Sequence, residues 1–277
     1  MTVRLPDFLI IGAMKSGTTS LFRWLDDLPD VSVATMKEPD FFARDDAWAR
    51  GLDWYGQLFA HVPAAALTGE ASTSYTGRNS RVAAERIAAT VPAVKLVYVV
   101  RDPVERMRSH YRHELQRGRE RRAFTEAVSD VDVPYVDLSL YWERLGPYVD
   151  AFPPRQLSVV RFEDLVSDEA PGWDQVLDHL GLSRTARPEV PYNITVDKPQ
   201  FSKLLLRQWQ RNRLAWTRPL PPRARRMGKR LMTRNGRRYR TLLDQSVTAP
   251  LPVSIEAALA DDAARLADWL GRTAPLW

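Results

Sequence analysis

Apolar residues along the chain form short continuous runs that alternate with helical stripes. Phe8 to Ile11 is unbroken apolar sequence. Leu21, Trp24, Leu25 and Leu28 then recur at i, i+3, i+4 and i+7, the spacing of an amphipathic helix. Val31 to Val33 predicts a short strand. Val94, Leu96, Val97, Val99 and Val100 predict a buried one, since most are β-branched. A further strand is expected over Leu157 to Arg161. The acidic start Phe162-Glu163-Asp164-Leu165 follows, so Glu163 and Asp164 read as caps of the next helix. Leu259, Ala263, Leu266 and Leu270 outline a C-terminal helix. Strands alternating with helices predict a three-layer α/β fold, a P-loop-type parallel β-sheet flanked by helices. The 277 residues can bury one large core. No repeat or low-complexity linker divides them, so a single domain over 1–277 is expected.

The join between the first strand and its helix reads Gly12-Ala13-Met14-Lys15-Ser16-Gly17-Thr18-Thr19-Ser20. A small-residue loop between a strand and a helix N-terminus suits a phosphate group. Backbone N–H groups and the positive end of the helix dipole both face the anion. A nucleotide-triphosphatase loop reads G-x-x-x-x-G-K-[ST], with lysine directly after the second glycine. Gly12 and Gly17 keep that spacing, but Thr18 holds the lysine position and Lys15 lies inside the loop. A small-molecule P-loop kinase, the rival enzyme class, would need that lysine and Mg²⁺.

The strand ending at Val100 runs into Arg101-Asp102-Pro103-Val104-Glu105-Arg106-Met107-Arg108-Ser109-His110-Tyr111. Pro103 suits a first helical turn. Arg101 is thereby placed at the carboxyl end of a strand, where open α/β sheets bind ligands. Ser109 falls about two turns into the helix. An arginine fork and a hydroxyl can hold a second phosphate.

The displaced Lys15 with Ser16-Gly17-Thr18-Thr19 resembles the 5′-phosphosulfate loop of sulfotransferases that use 3′-phosphoadenosine 5′-phosphosulfate (PAPS). The string R-x-P-x-x-R-x-x-S-x-Y from Arg101 resembles the 3′-phosphate motif of the same family. The resemblance implies that Lys15, Ser16, Gly17, Thr18, Thr19 and Ser20 hold the 5′-phosphosulfate, and that Arg101 and Ser109 hold the 3′-phosphate. Met36-Lys37-Glu38-Pro39-Asp40-Phe41-Phe42 resembles the K-E-x-x-F-F stretch of glycan-modifying members. Glu38 matches their catalytic base, and Asp40 stands where histidine is frequent. Read without the resemblance, Glu38 is an exposed loop carboxylate. Thr68-Gly69-Glu70-Ala71-Ser72-Thr73-Ser74-Tyr75 resembles the E-x-T-P-x-Y stretch. Ala71 replaces the lysine of heparan-type members, and Thr73 replaces the proline. Asn235-Gly236-Arg237-Arg238-Tyr239 resembles a late G-R loop that covers the 3′-phosphate, which implicates Arg237.

The implied activity is transfer of a sulfuryl group from PAPS to a hydroxyl or amine. The acceptor would be a glycan, a lipid or a secondary metabolite, and 3′,5′-ADP the product. Glu38 and Lys15 would be the catalytic residues: Glu38 as the base, with His110 and Glu70 as the next candidates, and Lys15 countering charge on the leaving oxygen. No metal is implied.

Composition narrows the alternatives. There is no cysteine, which excludes disulfides, thiol catalysis and thiolate metal sites. The four histidines show no metal-ligand spacing. The net charge of +6 conceals an asymmetry, because residues 207–240 are rich in arginine and contain no acid. The stretch reads as a lid or acceptor-binding segment around 200–245, as an anionic-membrane contact or as a solvated face. A nucleic-acid binder built on it would leave both phosphate motifs unused, so nucleic acid is not an expected partner. No apolar stretch approaches the roughly 20 residues of a membrane span. The first strand opens near residue 7, so a cytoplasmic chain is expected, and the alanine and arginine content suggests a bacterial source.

Overall fold

In the computed structural model the described residues are 3–130, 132–189, 241–246, 248–274 and 276–277. They fall into two compact units. One comprises Met1–Arg106, Val136–Ile194 and Glu256–Trp277, and the other Met107–Tyr135 and Thr195–Ile255.

The first unit is built on five strands: β1 (Phe8–Gly12), β2 (Val31–Val33), β3 (Leu67–Ala71), β4 (Lys95–Val100) and β5 (Leu157–Arg161). Across both units the α-helices among the described residues include, in chain order, α1 (Thr18–Asp26), α2 (Asp45–Trp48), α3 (Gly51–Gln57), α4 (Ser80–Thr90), α5 (Pro103–Gln116), α6 (Phe124–Val128), α7 (Tyr141–Ala151), α8 (Phe162–Val166), α9 (Pro171–Leu180) and α10 (Val253–Trp269). The strand order is β2-β3-β1-β4-β5, and every pairing is parallel. The α/β reading and the flanked parallel sheet are therefore observed. β2 and β5 match their expected bounds residue for residue.

Successive strand residues face opposite sides of a sheet, and the core divides accordingly. Leu9, Ile11, Leu96, Tyr98 and Val100 join one apolar layer with Tyr55 of α3, Ile87 of α4 and Tyr148 of α7. Phe8, Ile10, Val97 and Val99 join the other with Leu21 and Trp24 of α1 and Trp173 of α9. Both faces are covered, which is why these strands are continuously apolar rather than alternating. Within the sheet β1 lies between β3 and β4. The chain crosses outward to β2 and β3 on one side and then to β4 on the other. The carboxyl ends of β1 and β4 form the switch point where open α/β sheets take ligands.

The C-terminal helix differs from its expected register. α10 buries Leu259, Asp262, Leu266 and Ala267, while Ala263 is half-buried and Leu270 lies past the helix end. The reason is a cap. Asp262 accepts the N–H groups of Trp142 at 2.9 Å and Glu143 at 3.0 Å, the first turn of α7. α7 has Leu140 as its own N-cap, which offers no acceptor. Among the described residues no helix is long and apolar enough to cross a membrane.

In the second unit, Tyr111 donates to the Arg122 carbonyl at 2.7 Å, and Arg122 pairs with Glu120 at 2.8 Å and Asp130 at 2.6 Å.

Candidate active site

The Gly12–Ser20 loop leaves β1 through two close approaches. A Cβ on Gly12 would lie 2.0 Å from the Thr76 hydroxyl, which itself donates to the Ile11 carbonyl at 3.0 Å. Lys15 then adopts a left-handed backbone (φ 73°), and Gly17 does so again (φ 84°) as the N-cap of α1. A glycine cap has no side chain to satisfy the first-turn N–H groups, and that turn carries no acidic residue. Thr18, Thr19 and Ser20 form the turn, so its N–H groups and dipole suit an anion. Ser16 is fully buried beside the Tyr141 hydroxyl.

Arg101 follows β4 directly and comes to this loop. Its guanidinium is 3.5 Å from the Lys15 carbonyl, and its backbone N–H donates to the Tyr141 hydroxyl at 3.4 Å. The guanidinium lies 4.8 Å from the centre of the Phe162 ring. The same ring blocks Gly17, where a Cβ would stand 2.7 Å from Phe162 Cδ2. Phe162 therefore packs under both the helix N-cap and Arg101. Asp102 accepts the Glu105 N–H at 2.8 Å and so caps α5. Ser109 lies half-buried on α5, in the second unit.

The Met36–Phe42 loop leaves the same sheet edge after β2. Glu38 (φ 59°) and Asp40 (φ 54°) both have left-handed backbones. With Lys15 they are three of the four such non-glycine residues among those described. Strain of this kind costs of order 1–3 kcal/mol per residue and concentrates where function needs it. The Glu38 N–H donates to the Ala71 carbonyl at 3.0 Å, tying the loop to β3. The Glu38 carboxylate is 2.9 Å from Lys37 Nζ and 3.4 Å from the Thr73 hydroxyl, with 45% of its side chain exposed. Asp40 accepts from Ser74 at 2.6 Å. Burial raises its carboxyl pKa, the Glu38 charge adds to that, and the Ser74 bond opposes it. Phe41 and Phe42 are fully buried and anchor the loop.

Residues 5–210 match the family model described as Sulfotransferase domain, about three quarters of the sequence. The chain belongs to the sulfotransferase family. Heparan sulfate glucosamine 3-O-sulfotransferase 3B1 of Mus musculus is 35% identical over 189 residues, covering 65% of this chain and 47% of that protein. Heparan sulfate glucosamine 3-O-sulfotransferase 6 of Homo sapiens is 37% identical over 208 residues, covering 72% and 59%. The chain thus spans only about half the length of these curated relatives. The solved sulfotransferase from Alicyclobacillus acidocaldarius is 25% identical, with a TM-score of 0.60, and the match covers 87% of this chain and 97% of that one.

Two sequence expectations for this sulfotransferase need correction. Glu163 does not cap its own helix; it accepts the Asp102 N–H at 3.0 Å, just before α5, and Trp277 Nε1 at 3.4 Å. Asp164 pairs with Arg161 at 3.5 Å. Glu70, a fallback base, has no exposure at all and lies inside β3 rather than after it. Arg237 and the basic stretch 207–240 lie outside the described residues. Sequence reasoning missed Phe162, Tyr141 and the group around Glu70. The Phe-Glu-Asp-Leu string that carries Phe162 was visible, but its packing against Gly17 and Arg101 is a long-range contact with no local signal.

Proposed function

We propose that this sulfotransferase moves a sulfuryl group from PAPS to a hydroxyl or amine of an acceptor, with Glu38 as base. The single observation that carries the reading is the tie between the two anion sites. Arg101 reaches the Lys15 carbonyl while Phe162 packs under Arg101 and against Gly17. One ligand with two separate anionic groups fits that pairing.

The glycine-capped start of α1 and Lys15 suit the 5′-phosphosulfate. Arg101 suits the 3′-phosphate, a role the resemblance also gives to Ser109. PAPS supplies a sulfuryl group bonded to a good leaving phosphate. Lys15 offers fixed positive charge where the leaving oxygen gains charge, an electrostatic contribution that is strong when preorganised. Glu38 is exposed enough to meet an acceptor and takes its proton at a carboxylate oxygen. Lys37 holds that carboxylate at its Oε1 atom.

A glycan is the acceptor class we favour, because the relatives are named for heparan sulfate glucosamine. Asp40 and Ala71 supply no positive charge near Glu38, which favours an acceptor with fewer sulfates than a heparan-type chain. The reading is tested by transfer of radiolabelled sulfate from PAPS, in EDTA, across glycans of graded charge, lipids and phenols. Glu38→Gln should lower turnover by roughly 10²–10⁴-fold, the usual worth of a general base. Full turnover in that variant rejects Glu38.

A further inference from the structure

The loop that carries Glu38 rests on a buried carboxylate. Glu70 lies in β3 opposite Leu9 of β1. Its Oε1 accepts from the Tyr55 hydroxyl at 3.2 Å and from the Tyr75 hydroxyl; its Oε2 accepts from Ser72 Oγ at 2.9 Å. An ionised carboxylate accepts only, so all three hydroxyls point their protons at it. Ser72 Oγ then has its lone pairs left for another donor. It accepts the Asp40 N–H at 3.1 Å.

The two tyrosines act a second time through their rings. Phe41 stacks on Tyr55 at 4.3 Å between centroids, and Phe42 meets Tyr55 and Tyr75 edge-on at 5.2 and 5.7 Å. Three partners of Glu70, namely Ser72, Tyr55 and Tyr75, thus tie the 38–42 segment to it, beside the Glu38–Ala71 backbone bond, the Ser74–Asp40 and Thr73–Glu38 bonds, the Arg86 bond to the Phe42 carbonyl and the Trp48 and Trp54 ring contacts. A buried carboxylate is a poor way to gain stability, because desolvation offsets most of what its bonds return. What it supplies is one geometry for three hydroxyls.

We infer that Glu70 is a positioning residue for the reaction: through Ser72, Tyr55 and Tyr75 it holds the loop that aims the Glu38 carboxylate. The inference rests on Glu38 being the base. It also makes the hold depend on pH. Burial raises the Glu70 pKa to about 7, with a smaller rise from the Asp40 charge and opposing bonds from Tyr75, Ser72 and Tyr55. The titratable groups facing it are Tyr55 of α3, Tyr75 after β3, Tyr148 of α7 and Asp40 of the loop. All three tyrosines are pushed further above their usual range, so Glu70 is the group that changes charge near neutrality. A proton on Glu70 competes with the hydroxyls for its oxygens, turns the Ser72 hydroxyl and weakens its bond to Asp40.

The test is residue-resolved amide exchange at Glu38 and Asp40 in the full chain, from about pH 5.5 to about pH 8, corrected for intrinsic rates. In the wild type, protection at Asp40 should rise with a midpoint near the Glu70 value. Ser72→Ala and Glu70→Gln should each abolish that rise and speed Asp40 exchange about tenfold at the upper end, the worth of one hydrogen bond. Affinity for 3′,5′-ADP should stay within about twofold, since the donor loop keeps its contacts. Wild-type protection in either variant, or a midpoint that survives Glu70→Gln, overturns the inference. Should Glu70→Gln fail to fold, Ser72→Ala decides alone. Glu38→Gln separates the two readings: it should leave exchange unchanged and lower transfer by roughly 10²–10⁴-fold, and a fully active Glu38→Gln removes the base without touching the exchange result.

Discussion

Replacing Gly17 with alanine should damage both stability and donor binding, for reasons that can be separated. The residue is held at φ 84°, where an alanine costs about 1–2 kcal/mol. The new Cβ would also stand 2.7 and 2.8 Å from two carbons of the Phe162 ring, against the 3.5–4.0 Å at which carbons pack. The ring packs against the apolar layer of α1 and α9, so relief requires it to move. Overpacking of that kind adds about 1–3 kcal/mol. The total, roughly 2–5 kcal/mol, leaves a domain of ordinary stability folded but lowers Tm on the order of 10 °C. A displaced Phe162 also withdraws support from Arg101, so affinity for 3′,5′-ADP should fall at least about tenfold, the value of one weakened charged contact. The assay is thermal unfolding with calorimetric titration of 3′,5′-ADP for Gly17→Ala, Phe162→Ala and the pair. Phe162→Ala removes the clash, so the double variant should be more stable than the sum of the single costs predicts. Strict additivity, or a Gly17→Ala protein with wild-type Tm and affinity, would refute the packing argument.

Other outcomes follow from the same contacts. Glu70 titrates near 7 when folded and near 4.5 when unfolded. The folded state therefore binds the extra proton: its contribution is fully present below about pH 4.5 and is lost as pH rises through 7, a change of about 3 kcal/mol. Urea unfolding across that range should show the slope, and Glu70→Gln should flatten it. Asp262→Ala removes the cap on two N–H groups of α7 and should cost about 1–2 kcal/mol by denaturant titration, whereas Asp261→Ala, one residue away on an exposed position, should cost little. Lys15→Ala should act mainly on turnover and Arg101→Ala mainly on donor affinity, because the proposed donor pose sets Lys15 at the group whose charge changes and Arg101 at the remote 3′-phosphate; single-turnover kinetics with PAPS separates them.

The parts of this site that were legible in sequence are local ones. Gly12, Lys15 and Gly17 announce a turn because the backbone there needs special conformations within six residues, and β4 announces Arg101 by running straight into it. Glu38 was legible through the loop motif, although its left-handed backbone was not. What stayed hidden depends on contacts across long sequence distance. Glu70 looks like any strand-end acid until Tyr55 and Ser72 close around it. Asp262 reads as a solvated helix residue, and Glu163 as a cap of its own helix, because nothing local reports that each serves the N–H groups of a distant segment. A burial pattern of period 3.6 cannot foresee a buried acid whose partner lies 120 residues earlier.

The central claim is one donor held by Lys15 and Arg101 together. Calorimetric titration of 3′,5′-ADP, 5′-AMP and ATP into the full chain, with EDTA in place of Mg²⁺, tests it most directly. The account predicts that 3′,5′-ADP binds, that 5′-AMP binds at least about tenfold more weakly for want of the 3′-phosphate, and that Arg101→Ala erases the difference between them. Equal affinity for 3′,5′-ADP and 5′-AMP, or binding of ATP alone and only with Mg²⁺, would contradict it and turn the site back toward a kinase.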